Sequence, residues 1–151
     1  MNILTELKRK ALDADDALHA FSNIFCNWQD LLCDSENLTK ALTLDLHEDN
    51  KMFIRGIIDM STTIESTYSE LEQERDRRLL EYATAKLGGS LGDLIDGRDR
   101  SGNNIAIVLE SFYLSREDVY MFGTRFLKSG RKGVKQDSIL LDGGDWKIRG
   151  M

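Results

Sequence analysis

The sequence predicts an α+β protein: a long antiparallel helical hairpin, coiled-coil-like, followed by a small C-terminal antiparallel β-sheet. Three observations predict it. Through residue 87 the large apolar residues recur at steps of three and four, the spacing of one helix face. Five glycines then crowd residues 88–104, which breaks any helix. Beyond them the chain turns to β-branched and aromatic runs bounded by glycine and polar residues, the signature of short strands.

The first helix is read over residues 3–33. Leu4, Leu7, Ala11, Ala14, Leu18, Phe21, Phe25, Trp28 and Leu32 alternate steps of three and four without a gap, so they form a heptad seam. At 1.5 Å per residue the helix spans about 45 Å. The alanines allow close helix approach, and the aromatic end needs a wider pocket. "DSEN" at 34–37 breaks the pattern. Ser35 can cap a short helix running to Leu46, and "HEDN" at 47–50 reads as a polar joint. A second long helix is expected over 51–87, with Phe53, Ile57, Met60, Ile64, Tyr68 and Leu71 on one face and Ile54 and Ile58 widening it. Gly88-Gly89 ends it.

Residues 88–104 are read as a linker with a turn of helix at Leu91, Leu94 and Ile95. "NNIAIVLESFYL" at 103–114 reads as a strand. Residues 117–127 carry both an alternating pattern and a Ser115–Asp118 capping box, and the alternation favours a strand. Residues 128–137 read as a polar turn. Residues 138–141 and 145–148 read as two short strands joined by a tight hairpin at Gly143-Gly144. The organisation expected is thus a helical oligomerisation region at 1–87, the linker at 88–104 and a β-rich region at 105–151.

Composition narrows the function. The 151 residues are 41% hydrophobic and 30% charged, with no proline, an ordinary globular mixture of one domain or one with an appended subdomain. No apolar run approaches the ~18 residues of a membrane span, and the N-terminus carries charges where a signal peptide needs an apolar core. With two cysteines only, the expectation is a cytoplasmic protein with free thiols and no membrane. The net charge of −6 is uneven: residues 1–74 hold 6 Lys/Arg against 15 Asp/Glu, and residues 116–151 hold 8 against 5. An acidic chain of this kind points away from general nucleic-acid binding.

Candidate chemistry is sparse. His19, Cys26 and Cys33 sit one heptad apart, about 10.5 Å along the helix axis. One zinc ion, with ligands at about 2 Å, cannot join neighbours so spaced, and a disulfide cannot span them. They read as residues flanking a core. His47-Glu48-Asp49 begins like a zinc-protease motif, but Lys51 stands where the second histidine belongs. No nucleophile elbow accompanies either histidine. Helical acids at metal-binding spacing, Glu70 with Glu74 and Asp45 with Glu48, are interleaved at 70–78 with Arg75, Arg77 and Arg78, as on a solvated face. Lys128, Arg131, Lys132 and Lys135 concentrate positive charge beside two glycines, a composition that can hold an anion.

The sequence therefore points to a non-enzymatic oligomeric protein of inhibitor, adaptor or ligand-sequestering type, without a cofactor or metal. Lys128, Arg131, Lys132 and Lys135 are its expected contacts to a protein partner or a small anionic ligand. Leu4, Leu7, Leu18, Phe21, Phe25, Trp28 and Leu32 are its expected self-association seam, most simply in a dimer. Two other readings are a metal-dependent nucleotide phosphohydrolase built on the helical carboxylates, and a structural assembly component whose function is the seam itself.

Overall fold

The structure is a computed structural model that describes the backbone of residues 2–31 and 35–150, and the side chains of 2–22 and 38–150. The fold is α+β: helices first, then a five-stranded antiparallel sheet at the C-terminus. Leu32 and Cys33 lie outside the described residues, as do the side chains of Phe25, Cys26 and Trp28.

Helix α1 runs over Ile3–Leu31. Asn2 caps it, its side-chain oxygen accepting from the Leu4 amide at 3.2 Å and its carbonyl from the Glu6 amide at 3.1 Å. Helix α2 is Ser35–Ala41, shorter than the spacing suggested. The Thr43 hydroxyl donates to the Lys40 carbonyl at 2.7 Å, and tight turns occupy 42–44, so a local side-chain bond takes over from the helical ladder. Helix α3 is Glu48–Leu87, about 60 Å long at 1.5 Å per residue. The expected polar joint at 47–50 is largely its first turn. The His47 carbonyl accepts from the Asn50 and Lys51 amides, and Glu48 and Asp49 sit where the helix dipole favours anions. Gly88, at φ 67°, donates its amide to the Thr84 carbonyl and ends the helix. No helix among the described residues is long and apolar enough to cross a membrane.

The strands are β1 Leu94–Arg98, β2 Asn104–Ser115, β3 Asp118–Phe126, β4 Lys132–Leu140 and β5 Lys147–Ile148, in the sheet order β4-β3-β2-β1-β5. Three local expectations are corrected. The glycine-rich stretch holds a strand, β1, rather than a turn of helix. Leu94 and Ile95 pair with Val108 and Ile107, which takes them into the sheet. The polar stretch 128–137 is only partly a turn, because β4 begins at Lys132, opposite Phe126. Gly143-Gly144 does not make a hairpin of the last two strands: β5 pairs with β1, Ile95 opposite Ile148, at the far edge from β4. The 117–127 segment is a strand, and only Arg116 and Glu117 separate β2 from β3.

The chain divides into two compact units, residues 1–12 with 77–151, and residues 13–76. In the first, alternate residues of the sheet point into a core. Ile107 and Leu109 do so from β2, Val119 and Met121 from β3, and Ile139 from β4. A bulge at Glu110 inserts one residue, so Leu109 pairs with Gly123 but Ser111 with Phe122. The inward set on β2 then switches from odd to even numbers, and Phe112 and Leu114 continue the apolar face. Ala11 and Leu7 of α1 and Leu79, Tyr82, Ala83 and Leu87 of α3 cover that core. The sheet is curled. A Cβ on Gly97 of β1 would lie 2.7 Å from Ile139 of β4 and 3.3 Å from Trp146.

Asp142, just after β4, ties this unit together. It accepts the Tyr82 hydroxyl, the Lys8 ammonium at 2.9 Å and the Val119 amide at 3.2 Å, with Lys86 at 3.4 Å. In the second unit, Leu18 is 4% exposed, while Leu4 in the first unit and Phe21 in the second are half-buried. The two units have opposite charge. The sheet unit holds 16 Lys/Arg and 11 Asp/Glu, net +5, and the helical unit 4 and 15, net −11.

Candidate functional site

A cleft of about 1050 Å³ lies in the sheet unit. β1 brings Asp96 and Arg98 to it, the start of β2 brings Asn104 and Ile105, and the end of β3 brings Arg125 and Phe126. The β3–β4 turn adds Lys128, and the 145–149 segment adds Asp145, Trp146, Lys147 and Arg149. Five of these are cationic and two are carboxylates. The turn carrying Lys128 is closed by the Gly130 amide on the Leu127 carbonyl at 3.0 Å and the Leu127 amide on the Arg131 carbonyl at 2.8 Å. Gly130, at φ 81°, supplies the left-handed step. The Trp146 indole N–H donates to the Leu141 carbonyl at 3.0 Å, which fixes the ring at the cleft wall.

The cations fall into two groups. Arg125 is neutralised, 3.0 Å from Asp99 and 2.6 Å from Asp137. The amides of Asn103 and Ser101 donate to Asp99, and these with Arg125 hold its carboxyl below the usual range. Arg149 chelates Asp96, with Nε at 3.0 Å, and its guanidinium lies 5.7 Å from the centre of the Phe126 ring. The Arg149 bond, aided by the nearby charge of Lys147, holds Asp96 below the usual carboxylate range. Among the described residues, Arg98 and Lys128 have no carboxylate within 4.0 Å, and both are exposed. They are available to a ligand.

Arg98 also borders a second recess of about 530 Å³, with Arg100, Arg116 and Tyr120. Arg100 is fixed there: it donates to the Tyr113 hydroxyl at 2.8 Å and lies 4.6 Å over the Tyr120 ring. Tyr113 and Tyr120 stack on each other, 5.2 Å between centroids. Arg98 is thus shared by the two recesses, and Asp99 and Asp118 lie beside the three arginines in the second.

The four cations expected to bind an anion are dispersed. Lys128 lines the cleft. The Arg131 side chain is exposed, and its backbone carbonyl closes the turn. Lys132 pairs with Glu110 of β2 at 2.7 Å, and Lys135 lies 3.6 Å from Asp137. Arg98, Trp146, Lys147 and Arg149 were not legible as site residues. "DGRDR" and "DWKIR" each put cations beside a turn or an aromatic, but it is the pairing of β5 with β1, Asp96 opposite Lys147, that brings them together.

The helical carboxylates do not assemble. Asp45 lies in the loop before α3, so it does not share a helix face with Glu48, which pairs with Lys51 at 3.1 Å. Glu70 accepts from the Ser66 hydroxyl at 3.3 Å. His19 contacts the backbone and side chain of Asp15 at 2.9 and 3.3 Å. Among the described residues, no three His, Cys, Asp or Glu side chains come together where they could hold a metal ion.

No family model, curated protein or solved structure matches the chain.

Proposed function

We propose that this chain is a non-enzymatic, self-associating binding protein. Its sheet unit receives an anionic group, carried by a small molecule or by an acidic segment of a protein partner, and its helical unit serves as the scaffold. One observation carries the reading: Arg98 and Lys128 line the cleft with no carboxylate partner, beside the aromatic surfaces of Phe126 and Trp146. Cations left without partners beside apolar walls are what an anion-recognising cleft needs. The +5 charge of the sheet unit adds a field that favours the approach of anions. Inhibitor or adaptor action follows if the anion belongs to a protein. A cytoplasmic setting is part of this reading, supported by a chain of 151 residues with only two cysteines.

Inorganic tripolyphosphate and a hexa-aspartate peptide, titrated into the full chain, test it. The emission of Trp146 in a Trp28→Phe background reports binding. We expect saturable binding that weakens as salt rises. The double variant Arg98→Glu/Lys128→Glu should bind at least tenfold more weakly with an unchanged far-UV circular dichroism spectrum, while Lys132→Glu should have a smaller effect. No binding of either probe at low salt would remove the reading.

A further inference from the structure

Met52, Phe53 and Met60 project from α3 with 66%, 71% and 47% of their surface exposed. At 100° per residue, these three and Gly56 fall within a 100° arc of the helix. Gly56 is exposed, and a Cβ built on it would meet nothing within 4 Å. A glycine inside a helix weakens it relative to alanine, and no neighbour within this chain needs the missing side chain. What Gly56 provides is a notch, flanked by three large apolar side chains, into which another helix can come close.

We infer that this face is a two-fold interface: α3 of a second copy crosses it antiparallel, with Gly56 opposite the partner's Gly56. The inference extends the self-association in the proposed function and names the surface that performs it. The self-complementarity of the sequence about Gly56 identifies the occupant as a second copy. A two-fold axis there sets each residue opposite the one equally far on the other side. Met52 then faces Met60 across the Gly56 notch. Glu48, Asp49, Lys51, Arg55 and Asp59 fall opposite Ile64, Thr63, Ser61, Ile57 and Phe53. No two like charges oppose each other between residues 48 and 64, and Arg55 is offset by only two residues from the partner's Asp59. An isologous contact needs this kind of symmetry. Among the described residues of the α1 seam, Leu7 and Ala11 pack in the core of their own chain and Leu18 is buried.

The test uses the full chain with Cys26 and Cys33 replaced by serine. Sedimentation equilibrium should give a dimer, and Phe53→Lys/Met60→Lys should give a monomer of unchanged helix content. Gly56→Cys should form a covalent dimer under mild oxidation, since helices crossing at the notch bring the two Cα atoms within the roughly 7 Å that a disulfide spans. Met52→Cys mixed with Met60→Cys should cross-link to each other more than either does to itself. A monomeric parent protein overturns the inference. So does a dimer that survives the lysine substitutions and leaves Gly56→Cys unlinked, which would place the interface elsewhere. Anion binding by a monomeric variant is measured separately, so failure here does not remove the cleft reading.

Discussion

Tyr82 on the last turns of α3 donates its hydroxyl hydrogen bond to Asp142, sixty residues later and just beyond β4. The bond fastens helix to sheet, and Lys8 brings the start of α1 to the same carboxylate. Burial alone would raise the Asp142 carboxyl, but the bonds from Tyr82, Lys8 and the Val119 amide outweigh it and hold the group below its ordinary 3.8. Burial and the same bond push the Tyr82 phenol well above its ordinary 10.0. Asp142 therefore contributes stability fully above its unfolded value and loses it as pH falls through the folded one. Tyr82 contributes fully below pH 10.0 and loses it as pH rises through its folded value. Tyr82→Phe should cost about 1.5–3 kcal/mol, the usual worth of a hydrogen bond to a charged group. Asp142→Asn should cost about 2–3 kcal/mol at neutral pH, since Lys8 and Lys86 lose their partner. Chemical denaturation across pH checks both. The gap between wild type and Asp142→Asn should close in acid, where the wild-type carboxyl is protonated.

Gly123 pairs with Leu109 at the bulge between β2 and β3. A Cβ there would collide with the Val108 carbonyl oxygen and lie 2.8 Å from its carbon. The obstruction is backbone in the middle of the sheet, so no side chain can swing aside. Gly123→Ala should be among the most damaging single-methyl additions, costing about 3 kcal/mol or more. Gly143→Ala, where a Cβ would meet nothing closer than a Leu140 methyl at 3.8 Å, makes a matched control that leaves the fold intact. Urea unfolding of the two variants separates them.

How far the sequence revealed these features depended on whether the signal was local. The seam from Leu4 to Leu18 and the stop at Gly88 are carried by neighbouring residues, and the helices formed there. The β-branched and aromatic run that contains Ile107 and Leu109 announced a strand. The return of β5 to β1 was hidden, because two residues, Lys147 and Ile148, carry no pattern that names a partner fifty positions away. β4 was shortened in the reading because Lys132, Gly133 and Lys135 look like a turn, although cross-strand pairing with β3 overrides their weak strand propensity.

The cleft was legible in kind but not in membership. Local charge density pointed to positive residues after β3, and Lys128 lines the cavity. Lys132 and Lys135 were equally dense in charge, yet strand alternation and nearby acids spend them on Glu110 and Asp137. Arg98 and Trp146 reach the site through the pairing of β1 with β5, and Gly97 leaves the room that Trp146 and Ile139 occupy.

Arg116 holds φ at 59°, the only non-glycine residue at positive φ among the described residues. It sits first in the two-residue turn between β2 and β3, where glycine is the favoured residue. Left-handed backbone costs a side-chain-bearing residue about 1–2 kcal/mol, and glycine returns about 0.5–1 kcal/mol of that through its freer unfolded state. Arg116→Gly should therefore stabilise by about 1 kcal/mol or less, read as a higher melting temperature. The same variant removes a guanidinium from the recess shared with Arg98 and Arg100, so its tripolyphosphate affinity should fall while its stability rises. Opposite movement of the two readouts would mark the strained arginine as a binding residue, and unchanged affinity would assign it to the turn alone.

Asp96 restrains the cleft by occupying Arg149. Replacing it with asparagine removes one negative charge from the wall and releases a guanidinium already positioned over Phe126. Tripolyphosphate affinity should rise about three- to tenfold at low salt, with the gain shrinking as ionic strength increases. The wild-type carboxyl is held low by Arg149, so it stays ionised across neutral pH and the difference should be constant between about pH 5 and 8. Calorimetric titration of both proteins at two salt concentrations checks the direction. A loss of affinity in Asp96→Asn would instead mean that the Asp96–Arg149 pair positions the arginine for its ligand, and that the pair is part of the binding surface and not a brake upon it.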